Sequence, residues 1–390
     1  MCQTTYGVAL DIGTTTLTAG LVSLLDGHLI AAVSAVNRGR RYGADVLSRL
    51  AAVQNGAGAH LRELLQEDAD ALITRLLTEQ GVAPTAVRRV AVAANTTMQH
   101  LLLGYDTATL GTAPFLPAEL QPPTKTYPLI FNRDTLSCEV WFLPSSSAFI
   151  GGDVVGGVLT VSLPAPWLLV DLGTNGELFL HTGTDLLATS MAAGPAFEGA
   201  CLSCGTGAVE GAISRVRLRG YAPLCRTIGE KPPIGLCGSG AVEALYELRK
   251  AGLVGAGGTL LERYADGFEL AAGVRLTQQD IRQLQMAKAA VFVGIRALLC
   301  EAGLPPNTVT AVLAGGFGAE LDPDRAKGIG LLPAKMPTVA GGNTALLGAA
   351  VLVADPARYA EATQIARDTT VLNLATDPRF EGEYLENMNL

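Results

Sequence analysis

Gly7-Val8-Ala9-Leu10-Asp11-Ile12-Gly13-Thr14-Thr15-Thr16 stands near the start of the chain, and Trp167-Leu168-Leu169-Val170-Asp171-Leu172-Gly173-Thr174-Asn175-Gly176-Glu177 repeats its plan further on. Each is an apolar run that ends in Asp, an aliphatic residue, Gly and Thr. A run of this length bounded by turn residues reads as a buried strand. The Asp then lies at the strand's exit, and the Gly lets the backbone turn close to a ligand. Threonine hydroxyls and turn N–H groups are the materials of an anion-binding nest. One such segment is common at strand ends. Two in matching contexts point to a duplicated fold that grips a polyphosphate between its halves.

The surroundings of the two segments match as well. Strands Tyr6–Ile12, Thr16–Ser23 and Leu29–Val36, the last after an Asp26-Gly27 turn, are echoed by strands at 167–172, 177–182 and 186–190. After the first trio, residues 44–53 and 61–80 show helical spacing, the second through Leu61, Leu64, Leu65, Leu72, Leu76 and Leu77. A strand at 89–94 ends in Asn95-Thr96-Thr97, and a helix at 98–103 follows. The Pro- and Thr-rich stretch 111–128 reads as a rigid surface excursion. A strand at 139–143 and a Gly-studded apolar helix at 148–160, carrying Asp153, lead into the second segment.

Beyond the second trio come Gly194-Pro195-Ala196-Phe197-Glu198-Gly199 and Cys237-Gly238-Ser239-Gly240, the latter opening a helix at 241–251. Thr277 caps a long helix to 300. A strand at 309–313 feeds Ala314-Gly315-Gly316-Phe317-Gly318, and Asn343-Thr344 starts a small-residue helix that returns to the first half. A strand at 370–375 and a helix at 379–388 close the chain. The expected organisation is α/β, with one domain at 1–160 completed by 344–390 and a second at 161–343.

Composition bounds the partners. The 390 residues are 49% hydrophobic, enough for two large cores, and the net charge of −8 argues against nucleic acid. No basic segment followed by an apolar core opens the chain, and the apolar stretches at 286–300 and 344–354 read as too short or too interrupted for a bilayer. The expectation is a cytoplasmic protein with no membrane partner. Seven cysteines, an odd number, do not form a secreted disulfide framework. Cys201, Cys204, Cys225 and Cys237 cluster in sequence, so an iron–sulfur cluster or zinc is weighed against simple burial, and burial is preferred. The four histidines show no ligand spacing.

The chemistry follows from the repeated segments. Asp11 and Asp171 would hold Mg2+ mainly through water, because magnesium dehydrates reluctantly. Gly13, Thr14, Thr15 and Thr16, with Gly173, Thr174, Asn175 and Gly176, would shape the turns and hydrogen-bond the phosphates. Gly315, Gly316, Phe317 and Gly318 would let an adenosine lie flat at a strand end. A Walker-A loop is absent.

With these residues in place, the chain resembles the actin, sugar-kinase and heat-shock-chaperone ATPase superfamily. Within it, the chain is similar to the ATPase portion of the reductive activators of corrinoid iron–sulfur proteins. The stretches that carry the resemblance are Tyr42-Gly43-Ala44-Asp45-Val46, Asn95-Thr96-Thr97-Met98, Pro114-Phe115, Asp171 to Glu177, Gly194 to Gly199, Cys237 to Gly240 and Gly315 to Gly318. The resemblance implies two ribonuclease-H-like (actin-like ATPase) domains with mixed sheets flanked by helices and a nucleotide cleft between them. It implies an ATPase that reductively reactivates a corrinoid or iron–sulfur partner protein, returning a Co(II) corrinoid to Co(I), and a homodimer. It adds Gly238, Ser239 and Gly240 to the nucleotide site, and gives Glu198 a place at ribose or partner. Asp153, with Glu177 as a weaker contender, is the candidate for orienting the attacking water; capping a neighbouring strand is its equal alternative. Relatives carry an N-terminal ferredoxin domain that this sequence does not show, so the expected electron donor is a separate ferredoxin-type protein. A small-molecule kinase and a non-redox ATP-dependent chaperone or scaffold remain the competing classes.

Overall fold

The structure is a computed structural model that describes residues 5–173, 175–191, 193–199, 201–374, 377 and 380–390, without the side chains of Pro195, Glu198 and Ala319. Its contacts divide the chain into one unit of residues 1–163 and 343–371 and another of 164–342 and 372–390.

The first unit begins with β1 (Tyr6–Ile12), β2 (Thr16–Ser23) and β3 (Leu29–Val36), then α1 (Val46–Ala52), α2 (Gly58–Glu79), β4 (Val87–Ala94) and α3 (Thr96–Leu103). β5 (Lys125–Thr126), α4 (Tyr127–Phe131), β6 (Glu139–Phe142) and α5 (Gly152–Thr160) complete this run. The sheet order is β3-β2-β1-β4-β6-β5, with β1, β2 and β3 antiparallel and β4 and β6 parallel to β1. Alternation along β1 sorts its side chains by partner. Val8, Leu10 and Ile12 join the cluster that includes Leu65, Leu72 and Leu76 of α2. Ala9 faces the opposite cluster, with Val155 of α5. Asp11 follows Ala9 by two residues and so shares that face.

In the second unit, β7 (Trp167–Leu172), β8 (Gly176–His181) and β9 (Leu186–Met191) precede β10 (Ala212–Arg219), β11 (Ala222–Thr227), β12 (Gly235–Leu236) and α6 (Gly238–Lys250). β13 (Phe268–Ala271), β14 (Val274–Leu276), α7 (Gln278–Glu301), β15 (Thr310–Ala314), α8 (Gly315–Glu320), α9 (Pro323–Gly328) and β16 (Thr338–Gly342) follow. Within this unit the sheet strands run β16-β15-β7-β8-β9, with β15 parallel to β7 and the β7-β8-β9 trio antiparallel. Read from the third strand, both units have the order third, second, first, fourth, then one further parallel strand. The duplication expected from the two Asp-x-Gly-Thr segments is therefore one of topology.

The chain then returns to the first unit as α10 (Thr344–Ala354) and α11 (Arg358–Asp368), with β17 (Thr369–Val371), before α12 (Phe380–Glu386). α10 crosses α5 at a point built of glycine. A Cβ on Gly348 would fall on the backbone of Gly156, and one on Gly156 would stand 2.6 Å from Leu143 Cδ1. The small-residue composition of both helices serves this close approach.

Several boundaries differ from the sequence reading. The apolar helix at 148–160 starts at Gly152, because 144–151 forms a turn with Ser146 N–H donating to the Ile150 carbonyl (2.8 Å). The glycine turn Gly315 to Gly318 continues into a helix, as the first turn of α8. From Leu372 the chain packs on the second unit, where Leu372 N–H donates to the Ala188 carbonyl (2.8 Å). The expected final strand and helix include residues 375 and 379, which lie outside the described residues. α7 is 24 residues long, and by length and composition it would suit a bilayer, contrary to the reading of 286–300. Two-thirds of its most apolar window is instead buried within the second unit, as in a core helix (67%).

The start of α7 is fixed by a capping box between Thr277 and Asp280. Asp280 is buried and also accepts from the Ser203 N–H and hydroxyl (2.7 Å each). Asp280→Ala removes the cap and strands these donors, so it is expected to cost about 2 kcal/mol by urea unfolding. An unchanged midpoint would show that water replaces the carboxylate.

Candidate functional site

In the first unit, Asp11 is the penultimate residue of β1, opposite Thr18 of β2 and beside Ala93 of β4. Asn343, the N-cap of α10, accepts from Leu346 N–H through Oδ1 (2.9 Å) and donates through Nδ2 to Asp11 Oδ2 (2.9 Å). Asp153 stands in the first turn of α5 and accepts from Val154 N–H (2.8 Å). Burial pushes the Asp11 carboxyl up to about 7, against the pull of the Asn343 hydrogen bond, and Asp153 adds a repulsive charge. Burial likewise pushes Asp153 up to about 6. Both residues are half-buried. Two acids that resist ionisation side by side make a place where a hard divalent cation is favoured, since it stabilises the charged form of both.

The turn after Asp11 is tightly held. Gly13 N–H donates to the Thr16 carbonyl (3.0 Å). Thr14 is buried, and its hydroxyl accepts from Asn95 Nδ2 (3.1 Å). The Thr15 carbonyl accepts from Asn37 N–H (2.9 Å), and the Gly13 carbonyl from Asn37 Nδ2 (2.9 Å). Thr16 is exposed. Of the three threonines expected to meet phosphate, Thr14 thus has its hydroxyl turned to Asn95.

In the second unit, Asp171 lies opposite Glu177 across β7 and β8, so the two carboxylates share a sheet face. Ala314 neighbours Asp171 on β15. Gly315 follows at φ +78°, and a Cβ there would stand 2.5 Å from Asp171 Oδ1. Only glycine allows this approach of the α8 turn to the acid. Gly173 N–H donates to the Asn175 carbonyl (3.0 Å). Gly316 is exposed with open space above it, whereas Phe317 is buried and stacked on Phe197 (centroids 4.7 Å apart). Gly238 and Gly240 let α6 dock against the carbonyls of Phe197 and Ile213, and Ser239 Oγ donates to the Ser214 carbonyl (3.3 Å). Gly176 opens β8. Thr174 and the Glu198 side chain lie outside the described residues.

The cysteines do not converge. Cys204 Sγ donates to the Gly273 carbonyl (3.6 Å), Cys225 Sγ to Leu270 (3.4 Å) and Cys237 Sγ to Ile213 (3.2 Å). Burial pushes the Cys201 and Cys225 thiols up. Among the described residues no group of three or more His, Cys, Asp or Glu is arranged to hold a metal. His100 is a packing residue: Nδ1 meets the Thr96 carbonyl (2.7 Å), Nε2 accepts from Ala118 N–H (3.1 Å), and burial pulls its pKa down.

With this geometry in view, a family model for the RACo middle region matches residues 6–165, and one for the C-terminal domain of RACo, the ASKHA domain, matches 165–390. The chain belongs to the RACo family. The corrinoid activation enzyme RamQ of Eubacterium limosum is 30% identical over 98% of this chain and 70% of its own length. A [Co(II) methylated amine-specific corrinoid protein] reductase of Methanosarcina barkeri is 27% identical over 97% of this chain and 76% of its own. A solved reductive activator for corrinoid, iron–sulfur protein is 32% identical and superposes with a TM-score of 0.90, covering 100% of this chain and 67% of that one. The actin-like α/β fold expected from the sequence is thus the fold of the RACo family.

Sequence reasoning passed over Asn37, Arg49, Asn95 and Asn343 as site residues. Asn95 and Asn343 carry a signal, since each precedes an apolar helix and reads as an N-cap. Their second amide bonds, to Thr14 and Asp11, join segments far apart in sequence and leave no local pattern.

Proposed function

We propose that this chain is an ATP-dependent reductive activator of a corrinoid protein, with Mg2+ as the metal and a ferredoxin-type protein as electron donor. The observation that carries the nucleotide half of this reading is the Asp11–Asp153 pair beside the Gly13–Thr16 turn. The corrinoid half rests on kinship with the RACo family. Bound Mg2+ would supply positive charge at the phosphates; Asp11 and Asp171 are the residues proposed to hold it through water. Asp153, held near neutrality in its pKa, suits the task of accepting a proton from an attacking water. Gly13 to Thr16, Gly173 to Gly176 and the exposed Gly316 are the proposed nucleotide contacts, and Gly238 to Gly240 support them by docking α6.

The energetics are adequate. Shifting a two-state equilibrium from 1:99 to 99:1 takes about 5.5 kcal/mol of differential binding. At ~59 mV per tenfold for one electron, that corresponds to roughly 240 mV. Phosphate release is the first test: slow ATP hydrolysis, accelerated by a Co(II)-corrinoid protein, is expected. A phosphorylated metabolite in its place would make the chain a kinase, and partner release on ATP binding without electron transfer would make it a chaperone.

A further inference from the structure

Two stretches that the nucleotide reading leaves without a task, Tyr42-Gly43-Ala44-Asp45-Val46 and Asn95-Thr96-Thr97-Met98, meet behind the Gly13–Thr16 turn. Asp45 caps α1 in a capping box with Ser48, which sets the helix so that Arg49 points inward. Arg49 is fully buried, one of the largest such side chains in the protein. Its Nε donates to the Gly43 carbonyl (3.1 Å), its Nη2 to the Thr14 carbonyl, and its Nη1 to Met98 Sδ (3.3 Å). Among the described residues no carboxylate lies within ion-pair distance of the guanidinium; Asp45 is the acid that acts on it from further off. Burial pulls the group down only to about 10, so it stays charged at neutral pH.

A buried, unpaired cation is costly unless an anion compensates it. Here its hydrogen bonds all end on neutral acceptors, and one of those acceptors is the backbone of the turn itself. Asn37 and Asn95 donate to further acceptors of that turn, the Gly13 and Thr15 carbonyls and the Thr14 hydroxyl. Carbonyls of the turn are thus held inward on these donors, while the Gly13 N–H closes the turn on the Thr16 carbonyl.

We infer that Arg49 is a positioning residue for polyphosphate: its buried guanidinium fixes the Thr14 carbonyl and places a positive charge beneath the Gly13–Thr16 turn. The inference rests on the nucleotide reading of that turn. It makes the stretch around Gly43 to Arg49 part of the phosphate site without contact to the ligand. Affinity should therefore depend on Arg49 in proportion to the phosphate charge of the nucleotide.

The test is calorimetric binding of ATP and AMP to the full chain as wild type, Arg49→Met and Arg49→Lys. Arg49→Met is expected to lose tenfold or more in ATP affinity with AMP affinity within twofold of wild type. Arg49→Lys, which keeps the charge and loses the fork, should fall between. Equal losses for ATP and AMP, or ATP affinity within twofold of wild type in Arg49→Met, would overturn the inference. If Arg49→Met does not fold, Arg49→Lys decides: a threefold or larger loss confined to ATP supports it, and wild-type affinity for both nucleotides overturns it. Wild-type protein that binds no ATP would instead refute the nucleotide reading itself.

Discussion

Asp11→Asn is expected to lower ATP hydrolysis by about 10²–10³-fold while raising stability at pH 8. The two effects have one cause. In the native protein the Asp11 carboxyl keeps its proton up to about pH 7, whereas an unfolded aspartate loses it near pH 4. Across that window the native state holds more protons, so stability is complete at acid pH and is lost as pH rises through the native pKa. Asp153, raised to about 6, contributes in the same direction. Asparagine cannot ionise and still offers an oxygen to the Asn343 amide. The gain at pH 8 should be about 2 kcal/mol, allowing for the partial exposure of the site, and should vanish near pH 4. Melting curves at both pH values, with phosphate release at pH 8, check the prediction. Full turnover in Asp11→Asn would remove the acid from the site.

Gly348→Leu is expected to destabilise the first unit by about 3 kcal/mol and to reduce turnover. The α5–α10 crossing has no room for a Cβ at Gly348, and overpacking of this kind forces backbone shifts. α10 also carries Asn343 at its N-cap, so displacing the helix moves the amide that holds Asp11. Hydrogen exchange should show lost protection in α5 and α10 first. A variant with wild-type melting and turnover would mean that the crossing adapts at no cost.

Much of this was legible in the sequence because the evidence was local. The apolar run Val8–Leu10 and the turn at Gly13 specify a strand and its exit without reference to anything distant, and the same holds for Leu168 to Gly173. Asp26-Gly27 and Thr277 announce a turn and a cap within a few residues, whereas the cap before α3 is Asn95 and not the threonine that follows it. What escaped depends on contacts across the chain. Gly315 to Gly318 read as a glycine turn at a strand end, yet the close approach to Asp171 demands glycine and the stretch continues as the first turn of α8. The spacing of the four cysteines left a metal cluster open beside the preferred burial; the fold sends Cys204, Cys225 and Cys237 to three different carbonyls. Arg49 drew no reading from the sequence; only the fold shows that it is buried against the back of the Gly13–Thr16 turn.

The most direct test of the central claim is anaerobic absorption spectroscopy of a Co(II)-corrinoid protein mixed with this chain, a reduced ferredoxin and Mg2+, with and without ATP. The account predicts that the Co(II) spectrum gives way to that of Co(I) only when ATP is present, and that Asp11→Asn abolishes the change. Conversion at the same rate without ATP, or no conversion with ATP while ATP is still hydrolysed, would contradict it.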